Sequence, residues 1–465
     1  METKYDYDAV VIGAGPGGYV AAIRLAQLGK KTAVIERDKL GGVCLNIGCI
    51  PSKALIHQAE IFRNGIKNFK EFGIDLNMER FDYAKVQKKS RIAADKLSKG
   101  IAYLLKKNSV EVIAGSAKIT DPHTVSVNET TTVSAENIII ATGSSARSIP
   151  NFDIDEDTVL SSTGALLLEK LPKRLAVLGS GAIGSEFAHI MNSFGVEVHL
   201  VELLDRLVPL EDDDMSKTLF DSFKRRGINI YLSHKAESME KHDSGIKLFL
   251  KDNTGRQVTL EADKILVAVG RAPNTGGIGL ESVSIVPEKG FIPVSDYYRT
   301  SVESIYAIGD VIDSPMLAHV ASKEGEIVAE HIAGKETEKR IDPHTIPSAV
   351  YCEPEIASFG YTERDAKSAG VKFEKAVFPL RGAGKTVAVE QSEGMVKILF
   401  DPSTKEILGA HIAGIHATEL IHEALLAKKA ELLPQDIATM IHAHPTVSEA
   451  VMEAFRTAEG WAVHA

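Results

Sequence analysis

Cysteine is scarce, three in 465 residues. So few sulfurs exclude a disulfide framework, and in a chain this long they fit a reducing compartment, so a cytoplasmic location is expected. No apolar run approaches the roughly eighteen residues that a membrane span requires, and no membrane partner is expected. Basic residues are outnumbered: 53 Lys and Arg face 63 Asp and Glu, for a formal charge of −10. Nucleic-acid binding needs clustered cations, so that class is set aside too. The polar start Met1–Tyr7 runs straight into a strand and leaves no room for a signal peptide. No further Cys/His pair stands near Cys44 and Cys49 at zinc-site spacing, and no metal is expected. Otherwise the composition is that of a globular protein, 44% hydrophobic and 25% charged, with length for about three domains.

Two of the three cysteines, Cys44 and Cys49, share the stretch Gly41-Gly42-Val43-Cys44-Leu45-Asn46-Ile47-Gly48-Cys49-Ile50-Pro51-Ser52-Lys53. A bridge across so short a loop would stabilise little and leave the rest of the chain unconstrained. A redox pair instead needs closeness, access and one acidified thiol. Two buried cysteines, or half of a metal site, are the alternatives. Ser52 to about Asn64 and Tyr83–Lys107 read as helices, the second with Leu97, Ile101, Leu104 and Leu105 on one face. Cys49 falls near the start of the first, where the helix dipole favours a thiolate.

The cysteine stretch follows a dinucleotide unit. The strand Asp8–Ile12 ends in Gly13-Ala14-Gly15-Pro16-Gly17-Gly18; a helix runs to Leu28, and a second strand ends at Glu36. Gly13 permits the tight turn, Gly15 lets backbone approach a pyrophosphate, and Gly18 lets helix and strand pack closely. The helix N-terminus offers N–H groups to phosphate, and Glu36 is placed for ribose hydroxyls. The pattern returns at Leu175–Leu178, with Gly179, Gly181 and Gly184, and a strand ending at Glu202. First glycine and terminal acid are equally spaced in both copies (13 to 36, 179 to 202). A hairpin around Asp252–Gly255 and a strand Ile265–Gly270 mirror Thr124–Val127 and Ile138–Gly143 of copy one. Two dinucleotide cofactors are therefore expected. A carboxylate at Glu202 repels a 2′-phosphate, so the second site should take NAD. A dithiol gives electrons in pairs and a nicotinamide takes a hydride; a flavin converts one into the other, so the first site should hold FAD.

Farther on, Ser304–Asp310 reads as a strand ending in Gly-Asp, and Ala318–Gly334 as a helix. Asp310 is either an N-cap or a ligand of the flavin ribityl chain. From about Pro347, alternating strands and a helix near Thr418–Ala430 suggest an α+β domain without a fingerprint, suited to dimerisation. Cys352, far from the pair, reads as core. In Ile441-His442-Ala443-His444-Pro445-Thr446-Val447-Ser448-Glu449, His-x-His lacks further metal ligands, and His444 with Glu449 reads as a base oriented by a carboxylate.

These motifs, with Ala141-Thr142-Gly143, Gly270–Thr275 and Gly309-Asp310, resemble the pyridine nucleotide–disulfide oxidoreductases over essentially the whole chain, and within them the branch that oxidises dihydrolipoyl groups. The resemblance implies an α/β fold with two Rossmann-like domains and a C-terminal α+β dimerisation domain. The expected limits are 1–150 for FAD, 151–276 for NAD, 277–346 for a returning FAD segment and 347–465 for the interface. It implies a homodimer and a lipoyl domain or lipoyl carrier protein as partner. Cys44 would exchange with the substrate dithiol and Cys49 would lie against the flavin. Lys53 would sit near flavin N5 and pair with Glu186 on the nicotinamide side. His444 of the partner subunit would take the substrate proton. Gly115, Thr142, Gly143, Asp310 and Ala318 match flavin contacts; Gly270 and Arg271 match positions around the NAD site and its return strand.

Val43 and Cys352 stand where the family often has Thr, and Leu380–Thr386 lacks its frequent small-Asn-x-Arg-Ala run. A glutathione-type reductase would share the thiol pair but should prefer NADPH, against Glu202. A mercuric reductase normally adds a C-terminal cysteine pair, and none follows Val451. A non-catalytic flavin-binding protein would need neither the thiols nor the His–Glu pair.

Overall fold

A computed structural model describes residues 5–242 and 245–464. The chain forms two compact units, each assembled from three separate stretches: 1–55, 82–147 and 270–341 in one; 56–81, 148–269 and 342–465 in the other.

The first unit is built on a parallel sheet. Strand Tyr7–Ile12 lies between Thr32–Glu36 and Thr131–Ile140, with Val11 opposite Val34 and Ile139. Glu111–Ala114 adds beyond Thr32–Glu36, and Ile305–Ala307, from the returning stretch, pairs with Thr131–Ile140. The short runs Val10-Val11 and Ile138-Ile139-Ile140 are fully buried, as strands covered on both faces must be. Helices Pro16–Gln27 and Ala318–Ile332 pack together through glycine: a Cβ on Gly325 would lie 2.6 Å from the Gly17 carbonyl oxygen. Helix Tyr83–Lys107 has the expected bounds, but its buried stripe is Ser90, Ala94, Ile101 and Leu105. Leu97 and Leu104 are 43% and 39% exposed, because at 100° per residue they fall on the flank of that stripe.

The second unit repeats the parallel core: Arg174–Leu178 between Glu197–Val201 and Lys264–Val267, with Val177 opposite Leu200 and Leu266. The expected hairpin belongs to an antiparallel three-stranded sheet, His234–His242, Gly245–Asp252 and Gln257–Ala262. From residue 348 the unit continues as a five-stranded antiparallel sheet, its central strands Met395–Phe400 and Ile407–Gly414. Helices Ala417–Lys429, Pro434–Thr439 and Glu449–Ala458 contribute to the same core, through Ile421, Ile437 and Phe455. Cys352 is 1% exposed, a core residue. The helix expected over Ser52 to Asn64 runs from Cys49 to Glu71, carrying on through Gly65 and ending just before Gly73, whose φ is +76°.

Candidate functional site

Both fingerprints fold as their glycines require. Gly13 and Gly179 have φ of +102° and +97°, and a Cβ at either would lie 2.4 or 2.5 Å from a carbonyl oxygen, Ala141 or Ala268. A Cβ on Gly18 or Gly184 would lie 1.9 Å from the carbonyl oxygen of the first glycine of its own turn. Gly15 and Gly181 differ: a Cβ there meets nothing within 4 Å. They are the N-caps of the two fingerprint helices, and neither helix has a side-chain cap. The open space and the orphan N–H groups coincide, which is the cradle a pyrophosphate fits.

The strand-end acids are held by backbone. Glu36 accepts the N–H of Ala14 at 2.7 Å and of Asp38 at 2.8 Å. Glu202, 7% exposed, accepts the N–H and hydroxyl of Ser180, both at 2.8 Å, and the Leu204 N–H at 2.9 Å. A carboxylate has about four lone-pair sites, so Glu36 keeps room for two further donors and Glu202 for one, each in a fixed orientation.

The cysteine stretch rests on the first turn. Gly41 donates to the Ala14 carbonyl at 2.9 Å, and a Cβ on Gly42 would lie 2.7 Å from Gly15 Cα. Residues Gly42–Ile47 form a short helix that the sequence did not announce; its signal is the Gly41-Gly42 pair, both at positive φ. Asn46 braces it, donating to the carbonyls of Leu40 and Gly42 at 3.0 and 2.9 Å. Cys49 is the first residue of the following helix, and the two sulfurs, both half-buried, are not joined. The Cys44 thiol is pushed up by its hydrogen bond with Cys49 and by burial, with the Lys53 ammonium pulling down. Cys49 stands at the helix N-terminus, the place in the pair where a thiolate is favoured.

The remaining flavin-side positions converge within the same unit. Gly115 donates to the Glu36 carbonyl at 2.9 Å. Thr142 donates to the Asn274 carbonyl at 2.7 Å, and Asn274 returns bonds to the Thr142 and Gly143 carbonyls. Asp310 accepts from the Ser144 hydroxyl, with Arg271 Nε 3.8 Å away and donating to that hydroxyl at 2.6 Å. The N-cap reading of Asp310 does not hold: Leu317 caps the helix that begins at Ala318. Arg271 and Gly270, expected around the NAD site and its return strand, fall in this unit, where the Gly270 carbonyl accepts the Arg147 N–H at 3.1 Å. Ser144 and Asn274 were not singled out from the sequence; Asn274 lay within a quoted motif, whereas Ser144 carried no signal of its own.

In the second unit, Glu186 is 5% exposed on the fingerprint helix and accepts the Tyr351 N–H at 3.2 Å. Lys53 lies in the first unit. His444 Nδ1 is 2.9 Å from Glu449 Oε1, and the His444 side chain is 77% exposed. Burial opposes the charge on Glu449, yet the Thr446 N–H and His444 hold its pKa below the usual value. With Nδ1 bonded to a carboxylate, Nε2 is left as the base. His442 takes its own partner, Glu423, at 2.8 Å, which separates the two histidines of His-x-His. The altered segment borders this base: a Cβ on Gly384 would lie 4.0 Å from His444 Cε1. Among the described residues the one acidic group of metal-ligand geometry is Asp212, Asp214 and Glu363, and the Lys397 ammonium lies 2.5 to 2.8 Å from all three.

Residues 7–325 match the family model for pyridine nucleotide-disulphide oxidoreductases, and residues 346–455 match that family's dimerisation domain. A dihydrolipoyl dehydrogenase of Bacillus subtilis (strain 168) is 42% identical over 99% of each chain. A leghemoglobin reductase of Vigna unguiculata is 43% identical over 96% of this chain and 86% of its own. Among solved structures, LpdA of Mycobacterium tuberculosis superposes with a TM-score of 0.88 at 29% identity, covering 96% of this chain and 99% of its own. The flavoprotein disulfide reductase RclA of Escherichia coli superposes at 0.86 and 27% identity, covering 97% and 99%.

Proposed function

The chain belongs to the pyridine nucleotide-disulphide oxidoreductase family, and from that premise we propose that it oxidises dihydrolipoyl groups to lipoyl groups, using FAD and reducing NAD to NADH. The observation that carries this reading is the hydrogen-bonded pair Cys44 and Cys49, seated directly against a dinucleotide turn. FAD at the first fingerprint supplies the electron sink that turns a thiolate's electron pair into a hydride for NAD at the second.

The chain's own residues do the rest. His444, held by Glu449, takes the proton of a substrate thiol through Nε2. The substrate sulfur attacks Cys44, the Cys44–Cys49 bond breaks, and Cys49 leaves as thiolate. The second substrate thiol then attacks the sulfur bonded to Cys44, closing the lipoyl disulfide; its own proton goes to the departing Cys44 sulfur, and His444 keeps the proton of the first. Attack falls on Cys44 because the negative charge is better placed on Cys49 at its helix N-terminus. Lys53 serves the flavin side and Glu186 the nicotinamide side. Gly13, Gly15, Gly18, Glu36, Gly115, Thr142, Gly143, Asp310 and Ala318 hold FAD; Gly179, Gly181, Gly184 and Glu202 hold NAD, with Gly270 at the return between the two stretches. The dimerisation domain pairs two copies, so that His444 of the partner subunit serves each thiol pair. The working location is the cytoplasm, and the lipoyl group arrives on a carrier domain or protein.

Anaerobic mixing with dihydrolipoamide tests this directly. A long-wavelength charge-transfer band should form and then decay as added NAD becomes NADH. Flavin that ignores the dithiol but is reduced by NADPH would overturn the substrate and point to a glutathione-type reductase. Cys44→Ser should abolish dihydrolipoamide turnover, a loss of at least about a thousandfold, while bound flavin stays reducible by NADH.

A further inference from the structure

Helix Ala318–Ile332 buries one face into the first unit: Val320, Ala321, Gly325, Ile327, Val328 and Ala329. Glu324 lies on that same face and is 1% exposed. A carboxylate in an apolar stripe is costly unless its oxygens are satisfied. One oxygen accepts the Gly309 N–H at 2.6 Å. Burial, with Asp310 adding to it, pushes the Glu324 carboxyl up to about 7, and the Gly309 N–H, the Ser314 hydroxyl and Arg340 oppose this.

Gly309 is no ordinary turn residue. Its φ is +71°, and a Cβ there would lie 3.1 Å from Ala321 Cβ on the same helix. It immediately precedes Asp310, whose carboxylate accepts from Ser144, which in turn accepts from Arg271. The side chains around Asp310 fix its carboxylate, and Glu324 fixes the backbone from which that carboxylate projects.

We propose that Glu324 is a positioning residue for the flavin: its carboxylate oxygen locks the Gly309 amide and thereby the aim of Asp310 toward the ribityl chain. This rests on the reading that the first fingerprint binds FAD. The side chain acts through backbone and touches no reacting atom. An apolar residue of similar volume would pack the helix as well and leave the Gly309 N–H buried without an acceptor.

The test follows FAD release from the purified holoenzyme on dilution, by the rise in flavin fluorescence, with visible circular dichroism of the bound flavin as signature. Glu324→Leu should release FAD about tenfold faster and alter the dichroism; Glu324→Gln, which keeps an acceptor oxygen, should stay within about threefold of the wild type. Release from Glu324→Leu at the wild-type rate, or failure of Glu324→Gln to restore retention, overturns the inference. Should Glu324→Leu not fold, Glu324→Asp withdraws the oxygen by one methylene and should release FAD faster than Glu324→Gln; equal rates overturn it. Wild-type protein that neither carries nor takes up FAD overturns the flavin reading itself, and the inference with it.

Discussion

The two glycine turns differ far less than the segments hung from them. In each, the first glycine donates to the far strand at 2.8 Å, Gly13 to Ile35 and Gly179 to Val201. In each, the residue after that glycine accepts from the segment beyond the second strand at 2.9 Å: Ala14 from Gly41, and Ser180 from Val208. Past that bond the copies part. Gly41-Gly42 leads into the helix that carries Cys44. Val208 leads to Glu211 and Asp212, where Asp212 caps helix Asp213–Arg225 and meets the buried Lys397. One copy therefore carries thiols where the other carries an anchor to the C-terminal sheet. Binding machinery is common to both, and chemistry enters through a single connection.

If the turns are equivalent, equal lesions should silence them separately. Gly18→Ala and Gly184→Ala each drive a Cβ to 1.9 Å from a backbone oxygen, so the turn itself must move. Gly18→Ala should yield protein with little or no FAD, readable in the absorption spectrum. Gly184→Ala should stay yellow and lose NAD reduction by about a hundredfold or more, since overpacking at backbone costs about 1–3 kcal/mol before any ligand contact is lost. Gly184→Ala protein that also lost its flavin would break the equivalence.

Glu202 sharpens the comparison at the next level. It is bound by three donors where Glu36 has two, and it is the more deeply buried. Glu202→Ala should raise KM for NAD about tenfold with kcat less affected, and narrow the preference over NADP. An unchanged preference would remove Glu202 from specificity. Gly181→Ala is the milder lesion: its Cβ meets no protein atom, so the melting temperature should hold while KM for NAD rises about tenfold. Unchanged KM would mean that the open space at Gly181 is not where the phosphates lie.

These positions were legible in the sequence because each is local. Glycine spacing and a strand-end acid are set by one βαβ unit, and the bounds of Tyr83–Lys107 and Thr124–Val127 came through unaltered. What was missed depends on residues far apart in the chain. Ser144 means something only beside Asp310 and Arg271, more than a hundred positions away. Asp310 was ambiguous for the same reason, since a Gly-Asp after a strand fits a cap as well as a ligand. Glu324 was not singled out from the sequence: it sits within the apolar face of its helix, and its partner at Gly309 needed the fold. The pairing of His444 with Glu449 was short-range and visible; that of His442 with Glu423 was not.

The finest test compares the units by pH. Each holds a carboxyl raised to about 7: Glu324, buried in the first, and Glu60, half-buried in the second. Burial is the main cause at Glu60, with Glu353 and Glu355 adding to it against Arg63 and Arg226. A folded pKa above the unfolded value means that the folded state holds the extra proton between about pH 4.5 and 7. Each group therefore costs stability as pH rises through that window, and the cost is complete above it. Replacing Glu60 by Gln removes the titration, so Glu60→Gln should melt about 2–4 °C higher than wild type at pH 8 and show no gain at pH 5. The flavin should be retained, because Glu60 lies outside the first unit and Glu324 within it. A Glu60→Gln variant that released FAD would show that the two units do not divide the cofactors as their glycine turns do.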